Sequence, residues 1–235
     1  MIYAQILAGG VGSRMGNTDM PKQFLNIDGK PIIIHTIEKF ILVPDFDKII
    51  VSIHPKWQKY AENIIDKYIK DERVVVIDGG SERNDTVLGA IDFIDKNYNL
   101  LTDDVLVMHD AVRPFVTRRI IDENIRLSYK YKAVDTAFPA TDTIVKVRNE
   151  KIKEIPLRQE MYQGQTPQTV HIMSFKKQYL SMEENERKEL SDSAKVLLKA
   201  GFEVAIVEGD EMNFKITRPF DLKVANMLVK DNVDA

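Results

Sequence analysis

The sequence predicts an α/β protein with a mostly parallel sheet and helices on both faces. Three observations carry that expectation. Apolar runs of strand length alternate with amphipathic stretches of helix length from the first residues to about Phe138, the pattern that strand–helix–strand crossovers impose. The first run, Tyr3 to Leu7, opens directly into a loop holding Gly9, Gly10, Gly12 and Gly16. The later polar clusters each follow a strand candidate, at the carboxyl ends where sheets of this kind bind ligands.

Taken in order, the elements are as follows. Phe24 to Pro31 reads as a short extended piece and a turn. Pro31 to Leu42 reads as a helix, with proline in its first turn and Ile33, Ile37, Phe40 and Ile41 at helical spacing. Lys48 to Ile53 is a buried strand closed by His54-Pro55, and a helix from about Trp57 to Tyr68 follows. Val74 to Ile77 is the next strand, ending in Asp78-Gly79-Gly80, and Ser81 to Thr86 opens a helix running toward Tyr98. Val105 to Met108 leads into His109-Asp110-Ala111-Val112-Arg113-Pro114; a helix over about Thr117 to Tyr131 and a strand over Ala133 to Phe138 come next. Between Thr141 and Gln165 the rhythm breaks. Thr143 to Val147 and Lys151 to Leu157 are β-rich and joined by a polar turn, which predicts a projecting hairpin. Helices at about Met173–Met182 and Asp192–Ala200 follow, the second stopped by Gly201. A strand over Glu203–Val207, a short extended Asn213–Thr217 and a final helix after Pro219 complete the chain. The charge run from Glu183 to Glu189 reads as a solvated linker or helix face.

Composition bounds the function classes. The 235 residues are 44% hydrophobic and 29% charged, enough apolar material for one large domain. A formal net charge of −3 argues against a nucleic-acid partner. The absence of cysteine excludes disulfides and thiolate metal sites. No apolar run approaches the roughly 20 residues that a bilayer-spanning helix needs, and no basic leader precedes the first strand, so the expected location is cytoplasmic.

The chemistry starts at the first loop. Glycines allow a backbone to approach a ligand closely, and successive N–H groups in such a loop make a concavity for anionic oxygens. Arg14 adds a planar cationic fork suited to phosphate, and Lys22 stands beside Pro21 as a second cation. Together these read as a triphosphate cradle. A ligand-free glycine turn is the plain alternative. A dinucleotide-binding G-x-G-x-x-G is the other, but counting from Gly10 reaches Met15 where the third glycine belongs, and counting from Gly9 fails at Val11.

Further on, Asp110 follows an apolar strand, where a carboxylate needs a cation or hydrogen-bond partners. It reads either as a Mg²⁺ ligand acting with substrate phosphates or as a helix cap or ion pair with Arg113. His109 reads as a strand-end histidine, not as a ligand. Ser81 and Thr86 read as helix capping or, set beside the first loop, as walls for a base and ribose. Arg158 and Lys215, taken singly, are ordinary surface cations.

Leu7-Ala8-Gly9-Gly10-Val11-Gly12-Ser13-Arg14-Met15 followed by Pro21-Lys22-Gln23 resembles the signature of sugar- and alditol-phosphate nucleotidyltransferases. Asp110 to Pro114, Thr141-Asp142-Thr143, Gln165 to Gln168 and Lys215 to Pro219 resemble the ordered motifs of cytidylyltransferases, across essentially the whole chain. Two branches share them, one acting on methylerythritol phosphate for isoprenoid synthesis and one on ribitol 5-phosphate for teichoic-acid synthesis. Leu7 to Gly10 departs from the Pro-Ala-Ala-Gly of the first branch. Ser191-Asp192 stands where the first branch has Thr-Asp, and Arg83 to Thr86 and Met161 to Gln168 resemble the second.

The resemblance implies a Rossmann-like fold of the nucleotide-diphospho-sugar transferase type, a single domain over 1–235 with 141–165 as a dimerisation arm. It implies transfer of the cytidylyl group of CTP to D-ribitol 5-phosphate, with a methylerythritol acceptor or a non-catalytic nucleotide sensor as the alternatives. Leu7, Ala8, Gly9, Gly10, Gly80, Ser81, Arg83 and Thr86 would hold cytosine and ribose. Arg14 and Lys22 would stabilise charge at the α-phosphate. Asp110 would bind Mg²⁺, Arg158 and Lys215 would position the polyol phosphate, and Arg113 and Thr143 would line its pocket. The implied partners are a second copy of the chain with exchanged arms and a reductase that supplies the polyol phosphate.

Overall fold

The computed structural model describes residues 1–10, 20–188, 190 and 192–231. The chain enters strand β1 (Ile2–Ala8) at once. A small hairpin of β2 (Asn26–Ile27) and β3 (Lys30–Pro31) turns at Asp28 and Gly29, both at positive φ, the requirement of a tight two-residue connection. Helix α1 (Ile32–Ile41) leads to β4 (Lys48–Ile53), α2 (Gln58–Tyr68) to β5 (Val74–Asp78), and α3 (Arg83–Tyr98) to β6 (Val105–Asp110). Helix α4 (Arg118–Ser128) and β7 (Ala133–Pro139) follow. An exposed hairpin of β8 (Lys146–Arg148) and β9 (Lys151–Glu154) precedes the long strand β10 (Tyr162–His171). Helices α5 (Ile172–Ser181), α6 (Glu184–Lys188) and α7 (Ser193–Lys199), strand β11 (Val204–Glu208) and helix α8 (Pro219–Asp231) complete the described chain.

The main sheet has seven strands in the order β11-β7-β10-β6-β1-β4-β5. Every pairing is parallel except those of β10, which runs antiparallel to both β6 and β7. Period-two alternation divides the strands between two layers. Ala4, Ile6 and Ala8 of β1 face a core shared with α1, α2 and α4, whereas Tyr3 faces one shared with α3, α5 and α7. A third cluster joins Ile27 and Ile32 to Val112, Ile216 and Ala225, docking α8 and the small hairpin beside the end of β6. The fold is therefore the mostly parallel α/β sheet that the alternation predicts.

The short segment Asn213–Thr217 lies outside the sheet, held by hydrogen bonds that include Ile216 N–H donating to the Val112 carbonyl at 3.0 Å and Arg113 to the Asn213 carbonyl at 2.7 Å. One expectation needs correction: the pattern did not predict β10. Its centre, Gly164-Gln165-Thr166-Pro167-Gln168, offers no apolar run, and a proline argues against a central strand. The pairing with β7 shifts register between Gly164 and Gln168, which accommodates Pro167. The buried polar side chains there find partners on other elements. Thr169 donates to Asn124 Oδ1 at 3.1 Å, and Gln168 Nε2 donates to Asp135 Oδ1 at 3.0 Å and Asp192 Oδ2 at 2.6 Å. The sheet also ends the expected 141–165 arm early, because Tyr162, Gln163 and Gly164 already pair with β7.

The Gln168 cluster generates a pH prediction. Burial, and then the charge of Asp192, push the Asp135 carboxyl up from 3.8 to about 6. A carboxyl raised in the folded state contributes stability below its unfolded value and loses it as pH rises through the folded one. Asp135→Asn abolishes that titration. The variant should therefore gain stability over the wild type as pH rises from about 4 to about 6, with no further gain above that. Melting temperatures of both proteins at pH 4 and pH 7.5 check this; a difference that does not change with pH contradicts it.

Candidate active site

The carboxyl ends of β1, β5 and β6 open onto one cavity of about 330 Å³. Leu7, Ala8, Gly9 and Gly10 line it from the end of β1, and Lys22 and Gln23 from the 3-10 turn Lys22–Phe24. Gly80, Ser81, Glu82, Arg83 and Thr86 form the wall where β5 passes into α3. Asp110, Ala111 and Val112 close it from β6, and Lys215 from the segment before α8. The structure thus gathers Lys22, Lys215, Asp110 and every residue expected to hold the nucleoside. Arg14 lies outside the described residues, as do Gly12 and Gly16.

The β5–α3 wall is set by local chemistry. A Cβ on Gly80 would stand 2.6 Å from Asp85 Cβ and within 2.9 Å of the Thr86 backbone nitrogen, so only glycine fits the turn. Asp85 Oδ2 accepts from Ser81 Oγ at 2.7 Å and from the Glu82 N–H at 3.2 Å. Thr86 Oγ1 accepts from the Gly80 N–H at 3.0 Å and donates to the Glu82 carbonyl at 2.9 Å. The cap of α3 itself is a box of Glu82 and Asp85, not Ser81 or Thr86 as the capping reading had it; Ser81 and Thr86 brace that turn and line the cavity. Gln23, quoted in the Pro21-Lys22-Gln23 motif but given no role there, ties the lysine turn to β1 by donating to the Ala8 and Gly10 carbonyls at 2.7 and 3.1 Å. Its place directly after Pro21-Lys22 was the available signal.

At the end of β6, Asp110 is almost fully buried. Its Oδ2 accepts from Arg113 Nε at 3.1 Å and from Lys215 Nζ at 3.0 Å. Burial, the largest influence, pushes its carboxyl up, but Lys215, Arg113 and Arg83 together outweigh it and hold Asp110 well below the usual carboxylate range. The ion pair weighed from sequence is thus realised, with a second cation that sequence did not connect to it. His109, wholly buried, is lowered to about 4, chiefly by burial. Its ring nitrogens lie 3.0 Å from the Arg113 carbonyl and 2.9 Å from Thr166 Oγ1. Thr166 Oγ1 accepts the Asp110 N–H at 3.1 Å, so its own proton is directed to His109 Nδ1 and the Nε2–H donates to Arg113. His109 is neutral scaffolding for the 110–113 turn, the strand-end role expected of it.

A second cavity, of about 290 Å³, shares Lys215 with the first. Arg113, Phe138, Thr141, Gln163, Gly164, Gln165, Glu211 and Phe214 line it as well. Thr143 is not among its lining residues. The chain leaves the sheet after Ala140, and Thr141, two positions earlier, takes that place. Arg158 stands exposed at the foot of the hairpin, its NH1 donating to the Thr141 carbonyl at 3.3 Å. Within one chain neither Thr143 nor Arg158 reaches either cavity. Among the described residues no group of three or more metal-ligating side chains gathers, and no helix is long and apolar enough to cross a membrane.

A glycine-edged cavity with cations and a buried carboxylate, at the strand ends of a mostly parallel sheet and beside a second cavity, is the arrangement a nucleotidyltransferase needs. The family model described as 2-C-methyl-D-erythritol 4-phosphate cytidylyltransferase (IspD) matches residues 2–231, and the chain belongs to that cytidylyltransferase family. It is 54% identical, over 98% of its length and 99% of the relative's, to the ribitol-5-phosphate cytidylyltransferase of Lactiplantibacillus plantarum (strain ATCC BAA-793 / NCIMB 8826 / WCFS1). Among solved structures it is similar to the 2-C-methyl-D-erythritol 4-phosphate cytidylyltransferase of Francisella tularensis, with a TM-score of 0.80 and 30% identity over 96% of this chain and 98% of that one. The 4-diphosphocytidyl-2C-methyl-D-erythritol synthase of Anaerococcus prevotii DSM 20548 shares the fold, with a TM-score of 0.80 at 24% identity over 98% of each chain. These names agree on cytidylyl transfer and differ in the acceptor.

Proposed function

We propose that the chain transfers the cytidylyl group of CTP to D-ribitol 5-phosphate, giving CDP-ribitol and pyrophosphate for teichoic-acid synthesis in the cytoplasm. The observation that carries the reading is the pair of cavities meeting at Lys215, with Asp110 and Arg113 on their border. The first has the glycine edge and cations for a nucleoside triphosphate. The second has cations for a phosphate monoester and polar side chains for a hydroxyl-rich chain. The 54%-identical relative named for ribitol 5-phosphate favours that acceptor, as do the Arg83–Thr86 and Met161–Gln168 motifs.

In this mechanism an oxygen of the acceptor phosphate attacks the α-phosphorus of CTP. The P–O bond to the β-phosphate breaks, and its electron pair leaves with pyrophosphate. A phosphate monoester is largely dianionic near neutral pH, so no general base is required, and the buried His109 has no role as one. Catalysis consists of positioning two polyanions and neutralising the charge that develops between them. Lys22, with Arg14, stabilises charge at the α-phosphate. Lys215 and Arg113 orient the acceptor phosphate across the border of the cavities. A Mg²⁺ ion fits the donor set, since this cation takes one or two carboxylates and completes its shell with substrate phosphates and water. The ionised, buried Asp110 would hold it, and its chemistry would be to neutralise triphosphate oxygens.

The arm completes the proposal. Val145, Val147, Ile152, Ile155 and Leu157 are exposed on it, and a two-stranded hairpin is marginal without packing. Exchange of arms in a two-fold dimer would cover this apolar surface and bring Arg158 to the acceptor cavity of the second copy.

Three outcomes follow from this reading. Pyrophosphate release should be clearly faster with ribitol 5-phosphate than with 2-C-methyl-D-erythritol 4-phosphate; the reverse preference assigns the chain to the other acceptor, and no release with either removes the enzymatic reading. Lys22→Ala should lower kcat by about 10²–10³, the range for losing one transition-state donor, with a smaller effect on KM for CTP. A normal kcat with a raised KM would make Lys22 a binding group only. Finally, Arg158→Ala and Lys22→Ala chains, each impaired alone, should recover activity when co-expressed, because some mixed dimers carry one intact site. A monomer by light scattering, or mixtures without recovery, excludes the shared site.

A further inference from the structure

Arg83 lines the nucleotide cavity, but its side chain is anchored from behind. NH1 donates to Ser193 Oγ at 2.7 Å and NH2 to Gln168 Oε1 at 2.8 Å. Both acceptors are buried and neutral. Ser193 is in turn fixed by donating to Asn84 Oδ1 at 3.1 Å. Among the described residues Arg83 has no carboxylate partner, although two carboxylates stand one residue away. The Gln168 amide is wedged between them and the guanidinium. Its Nε2 donates to Asp135 Oδ1 at 3.0 Å and to Asp192 Oδ2 at 2.6 Å, while its Oε1 faces Arg83. This orientation follows from the chemistry of the neighbours, since the acids take only donors and the guanidinium only acceptors.

The consequence is electrostatic. A guanidinium carries five donors in a planar fork, and two are spent here on neutral oxygens. No carboxylate among the described residues pairs with it directly, and its charge acts on Asp110 at the cavity as well as on Asp135 behind it. Were the amide absent, Arg83 could form a bidentate pair with Asp135 or Asp192, the arrangement a guanidinium prefers. Such a pair would draw it out of the cavity wall and neutralise it.

We infer that Gln168 is a positioning residue for nucleotide binding, a neutral spacer that keeps Arg83 out of an ion pair with Asp135 and Asp192 and turned toward the nucleotide. The inference deepens the CTP reading and rests on it.

The test is isothermal titration of CTP with Mg²⁺ into the full chain, beside acceptor KM values from pyrophosphate release. Gln168→Met should weaken CTP binding about tenfold, the loss expected when one hydrogen bond to a charged group goes, and leave KM for the polyol phosphate unchanged. The same substitution in an Asp135→Asn/Asp192→Asn background, where neither of these acids is present to capture Arg83, should cost about twofold or less, because the coupling between the sites has been removed. A penalty that persists undiminished there, or no penalty in the single variant, overturns the inference. Should Gln168→Met not fold, Ser193→Ala removes the other neutral anchor. It should weaken CTP binding about threefold, and an unchanged affinity overturns the inference equally. A wild-type chain that binds no CTP removes the nucleotide reading itself, and this inference with it; a wild type that binds while the variants match it removes the inference alone.

Discussion

Much of the site depends on the carboxylate of Asp110, held at the end of β6 between Arg113 and Lys215. An ionised carboxylate this deeply buried is costly by itself, and leaving such a charge unpaired typically costs about 3–5 kcal/mol. The two cations come from different parts of the chain, one from the same turn and the other from the segment before α8. Satisfying Asp110 therefore ties the carboxyl-terminal segment to the centre of the sheet. Arg113 continues the link by donating to the Asn213 carbonyl at 2.7 Å. The turn between Asp110 and Arg113 is fixed from below by the neutral ring of His109, which Phe40 flanks at a ring separation of 5.2 Å.

Strand β10 makes this arrangement possible. Running antiparallel between β6 and β7, it places Thr166 beside His109 and the Asp110 N–H, and Gln168 beside Asp135. Its polar residues are buried because each finds a partner, which is the condition for placing hydroxyls and amides in a sheet interior. The same strand lines the second cavity through Gln163 and Gly164. One inserted strand therefore supplies support for the carboxylate, a neutral partner for the Arg83 cation and part of the wall of the second cavity.

Positive charge at the site is handled in two ways. Arg113 and Lys215 meet a carboxylate, whereas Arg83 meets Ser193 and Gln168, both neutral. The first arrangement fixes structure at the border between the cavities. The second holds a cation in the wall of the first cavity without a direct carboxylate partner among the described residues, anchored to the start of α7, where Asp192 caps the helix by accepting the Lys195 N–H at 3.2 Å.

The sequence alone determined the local layer of this protein. Period-two and helical spacing located β1, β4, β5, β6, β7 and their helices, because burial on one face imposes those repeats wherever a sheet is covered by helices. Gly9, Gly10, Gly80 and Asp110 were legible because strand ends in such a sheet converge on one crevice, so polar clusters in successive loops must share it. Other features had no local signal. Strand β10 is held by partners on β6, β7, α4 and α7, and neither its hydropathy nor its proline marks it as central. Lys215 reads as a surface lysine until the third hydrophobic cluster brings it against Asp110. The neutral seat of Arg83 depends on Gln168 and Ser193, each remote from it in sequence. These are long-range pairings, and a charge or amide is assigned its partner only when the folded chain decides which carboxylate it can reach.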